Sequence, residues 1–237
     1  MKIAIMQPYF FPYIGYWQLI HAADCFVLFD DAQYIKNGWI NRNRILKPGG
    51  GWQYFLIPLK KHVHTEPIKN IQIHPETQWK KRVLGQLAHY KKTALYFHEI
   101  YEMVRGIFSG IDDKNIAGIN FAIICKICEA LGEKKEIYLS SSKNFDYQNV
   151  ENAGEWALRI AEQLGAEEYI NPVSGAGLFN PGKFASAHIK LSFLKSHEIV
   201  YDRRGTFEPS LSIIDVMMFN GIKKTQEFLS CYSLKSA

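Results

Sequence analysis

Two prolines placed just beyond a strand constrain this chain more than any other feature. Lys2-Ile3-Ala4-Ile5-Met6 has the apolar pattern of a buried strand, and Gln7-Pro8-Tyr9-Phe10-Phe11-Pro12-Tyr13 follows at once. Proline fixes φ and carries no amide donor, so neither Pro8 nor Pro12 can continue a central strand. The chain must leave the sheet there by a loop. Gly15 then permits a close approach of backbone or ligand, and Trp17 to Ala23 spaces its apolar residues along one helical face. A second apolar run with charged ends, Asp24 to Asp30, predicts another strand. Strand, loop, helix and strand make a βαβ unit of a parallel sheet. Ligands of such sheets gather at the carboxyl ends of the strands, where Gln7, Asp30, Asp31 and Gln33 fall.

The rest of the chain reads as an extension of that unit. Asn41 to Leu46 and Trp52 to Ile57 flank Pro48-Gly49-Gly50-Gly51, which predicts a hairpin with a loose glycine turn. A short strand is expected over Ile68 to Ile73. Residues 76 to 131 read as a helical block, with Trp79, Val83, Leu87 and Tyr90 on one face and Ile116, Ile119, Ile123, Ile127 and Leu131 on another. Alternation then resumes as strand Glu136 to Leu139, helix Asn152 to Leu164, strand Glu168 to Ile170, helix Pro181 to Ala187 and strand Ile189 to Leu194. Ser210 or Ser212 can cap a last long helix ended by Asn220-Gly221, with a short helix Ile222 to Leu229 closing the chain. The expectation is one α/β domain over residues 1 to 237. Its Rossmann-like, mostly parallel sheet is built from both ends of the chain, with the helical block and the hairpin beside it.

An apolar content of 47% in 237 residues is ample for one such core. No apolar run is long enough for a bilayer and the amino terminus lacks signal-peptide character, so a cytoplasmic protein without membrane insertion is expected. Cysteines 25, 125, 128 and 231 form no disulfide framework and fit a reducing compartment. The net charge of +5 is spread along the chain without a nucleic-acid module, which favours a small anionic partner over DNA. Aromatic residues crowd the first 60 positions, a composition suited to core and to a pocket that stacks a planar ring or a sugar face.

Several side chains can carry chemistry. Asp30 and Asp31 close the second strand, where a carboxylate can hold a metal, orient an amine or act as a base; capping of the next turn is the competing reading. Arg42 and Arg44 alternate with Asn41 and Asn43, so on a strand they would offer two forks to a phosphate or carboxylate, against plain solvated arginines. Lys60-Lys61-His62-Val63-His64 brings two imidazoles to one side of an extended chain. With no third ligand at fixed spacing, a surface or substrate-binding role is preferred to zinc, and no metal site is expected. Cys125 and Cys128 lie in an apolar helix and read as core. Ser140-Ser141-Ser142-Lys143 offers hydroxyls and an ammonium to a phosphate, though it lacks the glycines of a Walker loop. Ser212 and Asp215 are spaced to meet in a cap.

Gln7 to Gly15, Asp30, Asn41-Arg42, the Trp79 and Tyr90 helix, Tyr169 to Asn180 and Leu211-Ser212-Ile213-Ile214-Asp215 together resemble the WbqC-like family, over essentially the whole chain. The loop Tyr169 to Asn180 keeps the family's Ser-Gly as Ser174-Gly175, but has Asn171-Pro172 and Leu178 where the family carries Ser-Gly and Tyr. The resemblance implies a bacterial role in O-antigen and other surface-polysaccharide (lipopolysaccharide) biosynthesis, on a nucleotide-linked sugar. The reading it leads to is an acyl or aminoacyl transferase acting on a nucleotide-linked amino sugar, with glycine as one candidate donor. Asp30 then orients or deprotonates the amine, Arg42 and Arg44 hold phosphates, and Tyr13 or Tyr16 contacts the sugar. Gln7, Pro8, Gly15, Gln33, Asn41, Ser142, Ser174, Gly175 and Asp215 complete the binding set. A more distant similarity is to the nucleotidyl-transferring superfamily, whose His-x-Gly-His turn is replaced here by Tyr13-Ile14-Gly15-Tyr16. It implies a nucleotidyltransferase or ligase using ATP or CTP with Mg²⁺. A non-catalytic nucleotide-sugar-binding protein, and assembly of several copies, are also compatible with the sequence.

Overall fold

The structure, a computed structural model, describes residues 1–75, 78–148, 150–203 and 207–237. In chain order it contains β1 (Lys2–Met6), α1 (Ile14–Ala22), β2 (Cys25–Leu28), β3 (Arg42–Leu46), β4 (Trp52–Leu56), α2 (Trp79–Leu87), α3 (Phe97–Ser109), α4 (Ile116–Ala130), β5 (Glu136–Leu139), α5 (Ala153–Gln163), β6 (Glu168–Pro172), α6 (Pro181–Ser186), β7 (Lys190–Ser196), α7 (Ile213–Leu229) and β8 (Tyr232–Ser236). Six strands form one sheet in the order β5-β2-β1-β6-β7-β8, all parallel except β8, and β3 and β4 form the expected antiparallel hairpin. Counted along the chain, the sheet has the order 3-2-1-4-5-6 of the doubly wound dinucleotide-binding fold.

Alternation along the strands explains both layers. Ile3, Ile5, Cys25 and Val27 pack on one face, under α5 and α6, while Ala4, Phe26 and Leu28 pack on the other with α1, the hairpin, the helical block and α7. The hairpin and α2 to α4 are inserted between β2 and β5, so the core on that side is much the larger. Trp79, Val83, Leu87 and Tyr90 are all buried, and so are Ile116, Ile119, Ile123, Ile127 and Leu131, as their spacing requires. Residues 76 and 77, the expected start of the block, lie outside the described residues.

Two expectations are corrected, one strand is added, and two loop aromatics take the core reading. Ile68 to Ile73 is a 3₁₀ turn, Ile68–Asn70, followed by single bridges from Gln72 to Asn115 and from Ile73 to Leu59; among the described residues it has no continuous neighbour with which to form a ladder. β8 was not expected: Tyr232 to Ser236 is polar and exposed, and only pairing with the edge of β7 makes it a strand. Ser212 does cap α7, accepting from the Ile214 amide at 3.3 Å, but Asp215 points elsewhere and does not join it. The phenylalanines of the first loop belong to the core: Phe10 and Phe11 are fully buried, against Phe55, Trp79 and Phe108. That loop is held from within. Asn43 Nδ2 donates to the carbonyls of Phe10 (3.0 Å) and Phe11 (2.9 Å), and Asn120 Nδ2 to those of Pro8 (2.8 Å) and Ile40 (2.7 Å). A buried loop needs such donors, because its carbonyls have no ladder to join.

Candidate functional site

The two wings of the sheet diverge between β1 and β6, and a cleft of about 830 Å³ opens there at their carboxyl ends. Crossovers that leave β1 and β6 on opposite sides create this crevice in any sheet of this order. Gln7 and Tyr9 line it from the loop after β1, Asp31 and Gln33 from the end of β2, Trp156 from α5, and Asn171, Ser174 and Gly175 from the end of β6. Asp31 and Glu151 are its charged lining residues among those described. A smaller space of about 360 Å³ continues from Asp31 and Trp156 past Lys69, Ser140, Ser141 and Tyr147. A depression of about 630 Å³ between α3 and α4 is lined by those helices and the turn joining them, and touches no strand end.

The adjacent acids occupy opposite environments. Asp30 is 1% exposed and both its oxygens are occupied, Oδ1 by the Ser141 amide at 2.9 Å and Oδ2 by Ser141 Oγ at 2.6 Å. Asp31 reaches the cleft and accepts from Lys69 Nζ (2.7 Å), Tyr147 OH (2.8 Å) and Ser140 Oγ (2.6 Å). Ser140 Oγ also lies 3.0 Å from Asp30, but a hydroxyl has one proton, and the shorter contact goes to Asp31. Burial pushes the Asp31 carboxyl up, yet the hydrogen bonds from Lys69, Ser140 and Tyr147 outweigh it and hold the group below the ordinary carboxylate range. Lys69 is raised in turn by its bond to Asp31, and burial followed by the Asp31 hydrogen bond raises the Tyr147 phenol. Asp31 is thus an ionised acceptor, suited to hold an ammonium or sugar hydroxyls. Aromatic rings form the adjoining wall: Trp156 lies 5.4 Å from Phe29 and 4.5 Å from Tyr147 between ring centres.

Glycine is required at one point in this cleft. A Cβ on Gly175 would sit 2.3 Å from Asn171 Nδ2, so its absence lets the Asn171 side chain lie against the Ser174-Gly175 loop. Asn171 Oδ1 accepts from the buried Tyr169 hydroxyl at 3.0 Å, which fixes which end of the amide faces the loop.

The structure brings Gln7, Gln33, Ser174 and Gly175 together around the cleft. Gln7 Nε2 donates to the Gln33 carbonyl at 3.5 Å, tying the first two strand ends. The other expected residues are engaged elsewhere. Pro8 is buried, Tyr16 donates to the Gln7 carbonyl at 2.9 Å and is 1% exposed, and the Tyr13 ring covers Gly15, where a Cβ would meet Tyr13 Cε2 at 2.5 Å. The close approach that Gly15 permits is therefore made by Tyr13 itself. Asn41 accepts from Tyr34 and donates to the Ile57 carbonyl, both at 2.9 Å. Arg42 donates to the carbonyls of Asn37 and Gly38 and stacks over Tyr54. Arg44 lies between Trp39 and Trp52 and donates to the carbonyls of Pro209 and Ser210. Both guanidinium groups turn to loop carbonyls and aromatic rings, outside the cleft lining. Ser142 donates to the Leu139 carbonyl and is exposed, while its neighbours Ser140 and Ser141 face the acids.

Asp215 is fully buried in a separate polar cluster. It accepts from Tyr90 OH (2.7 Å) and Tyr201 OH (2.6 Å) and pairs with Arg203 Nε at 2.9 Å, while the Leu46 amide donates to Tyr90 OH at 2.9 Å. Burial pushes the Asp215 carboxyl up against the opposing pull of Arg203 and the two phenols. The cluster joins α7 to the hairpin, and none of its four side chains lines the cleft. Tyr9, Lys69, Tyr147, Trp156 and Asn171 were not singled out from the sequence; the one available signal was that Tyr9 and Asn171 fall at strand ends. Cys125 and Cys128 are unpaired thiols, Cys128 buried in the core. Among the described residues no group of three or more His, Cys, Asp or Glu could hold a metal ion, and no helix is long and apolar enough to cross a membrane.

Comparison with known proteins places these features in a setting. A family model described as the WbqC-like protein family matches residues 7–227. The chain is 28% identical over 232 residues to "Uncharacterized protein Rv1507c" of Mycobacterium tuberculosis (strain ATCC 25618 / H37Rv), covering 96% of this chain and 97% of that protein. No solved structure matches.

Proposed function

The chain belongs to the WbqC-like protein family, and from that premise we propose that it is a transferase of surface-polysaccharide biosynthesis that acylates a nucleotide-linked amino sugar held in the strand-end cleft. One observation carries the reading: a sheet of order 3-2-1-4-5-6 with an ionised acid, Asp31, at the mouth of its β1/β6 crevice. In sheets of this order nucleotides bind at the switch point, and an acid at the end of the second strand accepts from ribose hydroxyls. The aromatic wall of Phe29, Tyr147 and Trp156 offers a face to a base or a sugar.

The role expected of Asp30 passes to Asp31. Asp30 has its oxygens occupied by Ser141 and shapes the turn that presents Ser140 to Asp31. In the reaction the sugar amine attacks the carbonyl carbon of an activated acyl donor, a C–N bond forms, the bond to the leaving group breaks, and the amine proton departs to solvent. A carboxylate held below its ordinary range is a weak base, so Asp31 serves by accepting hydrogen bonds and orienting the nucleophile.

Calorimetric titration with UDP-, GDP-, dTDP- and CDP-linked amino sugars, with and without Mg²⁺, tests the reading. At least one should bind without metal, and Asp31→Asn should weaken it by about tenfold or more, the scale of a hydrogen bond to a charged group. Binding of ATP or CTP alone, and only with Mg²⁺, would replace acyl transfer by nucleotidyl transfer. Tight binding of a nucleotide sugar that no acyl donor converts would make the protein a carrier.

A further inference from the structure

The cleft lining lacks lysine and arginine among the described residues, yet a nucleotide-linked sugar carries two phosphates. We propose that these phosphates bind next door, in a basic pocket formed by Lys36, Lys60, Lys61, His62 and His64. This assignment rests on the nucleotide-sugar reading above for its ligand, and on the geometry of the pocket for its place.

The pocket has a volume of about 500 Å³ and shares Gln33 and Ile35 with the cleft, so the two lie side by side. Its lining includes three lysines, two histidines and no carboxylate. Lys60 Nζ donates to the neutral Gln72 Oε1 at 2.9 Å, and none of the three lysines forms an ion pair among the described residues, so their charge is available to an anion. Elsewhere most paired lysines sit on carboxylates, as Lys69 does on Asp31 and Lys183 on Glu155.

The loop that carries these cations is built into the fold. The Lys60 amide donates to the Gln72 carbonyl at 2.9 Å, Leu59 bridges Ile73, and Gln33 Nε2 donates to the His64 carbonyl at 2.8 Å. His62 packs edge-on against Tyr34, ring centres 4.9 Å apart. Its Nδ1 lies 2.8 Å from the Lys60 carbonyl, which can only accept, so Nδ1 carries a hydrogen and that bond fixes the orientation of the ring. Three lysine ammoniums in one pocket supply point charges, each with three N–H donors, that a diphosphate's several oxygens can use.

Inorganic pyrophosphate, which has no base or sugar, is the direct probe. Titrated into the full chain at low and raised salt, it should bind in a salt-sensitive manner. The double variant Lys60→Gln/Lys61→Gln should weaken it about tenfold or more, while Lys91→Gln/Lys92→Gln, at exposed lysines after α2, should leave it unchanged. Absence of pyrophosphate binding, or equal effects of the two variants, overturns the assignment. The two readings fail separately. If nucleotide sugars bind Lys60→Gln/Lys61→Gln as tightly as the parent, the phosphate pocket is wrong and the cleft reading stands. If no nucleotide sugar binds but pyrophosphate still needs Lys60 and Lys61, the pocket stands and the transferase reading falls.

Discussion

One step along the chain from Asp30 to Asp31 exchanges a caged carboxylate for one that a ligand can reach. Asp31 is held ionised by Lys69, Tyr147 and Ser140, and this has a sign in stability. Its folded value lies below the ordinary 3.8, so its contribution is fully present above that pH and is lost as pH falls through the lower folded value. Denaturant titrations over an acid series should show this loss in the parent and a flatter acid limb in Asp31→Asn. An unchanged acid limb would remove the Lys69 and Tyr147 bonds as its cause. Strand-end position alone pointed to both acids, because a strand ending in Asp-Asp at the ligand side needs only pattern to be read. Which of them faces the cleft depended on Ser140 and Ser141, more than a hundred positions away, and no local pattern records that.

At the scale of elements, the strands and helices with a clear period were legible and the short connectors were not. Glu136–Leu139, the helix that starts at Asn152 and the face Trp79-Val83-Leu87-Tyr90 follow from pattern and periodicity. The hairpin is legible too, but its arginines read as anion forks or solvated side chains, and they lie against Trp39, Trp52, Tyr54 and the carbonyls of two loops. Asn220-Gly221 was read as a helix end, and Gly221 has φ 69° inside α7, dividing it into two helical pieces. A Cβ there would also lie 2.7 Å from the Tyr96 ring. Gly221→Ala should therefore cost about 2 kcal/mol or more in urea unfolding, from left-handed backbone and the clash with Tyr96 together. A cost within about 0.5 kcal/mol, the scale of a neutral surface change, would mean that α7 straightens without penalty.

For the whole molecule, the sheet is closed on one side by β8, an exposed polar strand whose pairing covers the edge of β7. Removing residues 232–237 should lower the thermal midpoint and promote self-association, with ligand affinity kept, since β1, β2 and β6 form the cleft. Loss of binding in the truncated chain at a temperature where it stays folded would show that the edge supports the site. The sequence by itself determined the βαβ opening, the parallel α/β class and the two helical faces, because prolines, caps and apolar periods act within a few residues. Only the tertiary structure decided that Phe10 and Phe11 enter the core, that Arg42 and Arg44 turn to loop carbonyls and rings, and that Asp31, Trp156 and Asn171 share one cleft. Those outcomes depend on which distant carbonyl, hydroxyl or ring competes for each side chain, and chain crossings set that competition.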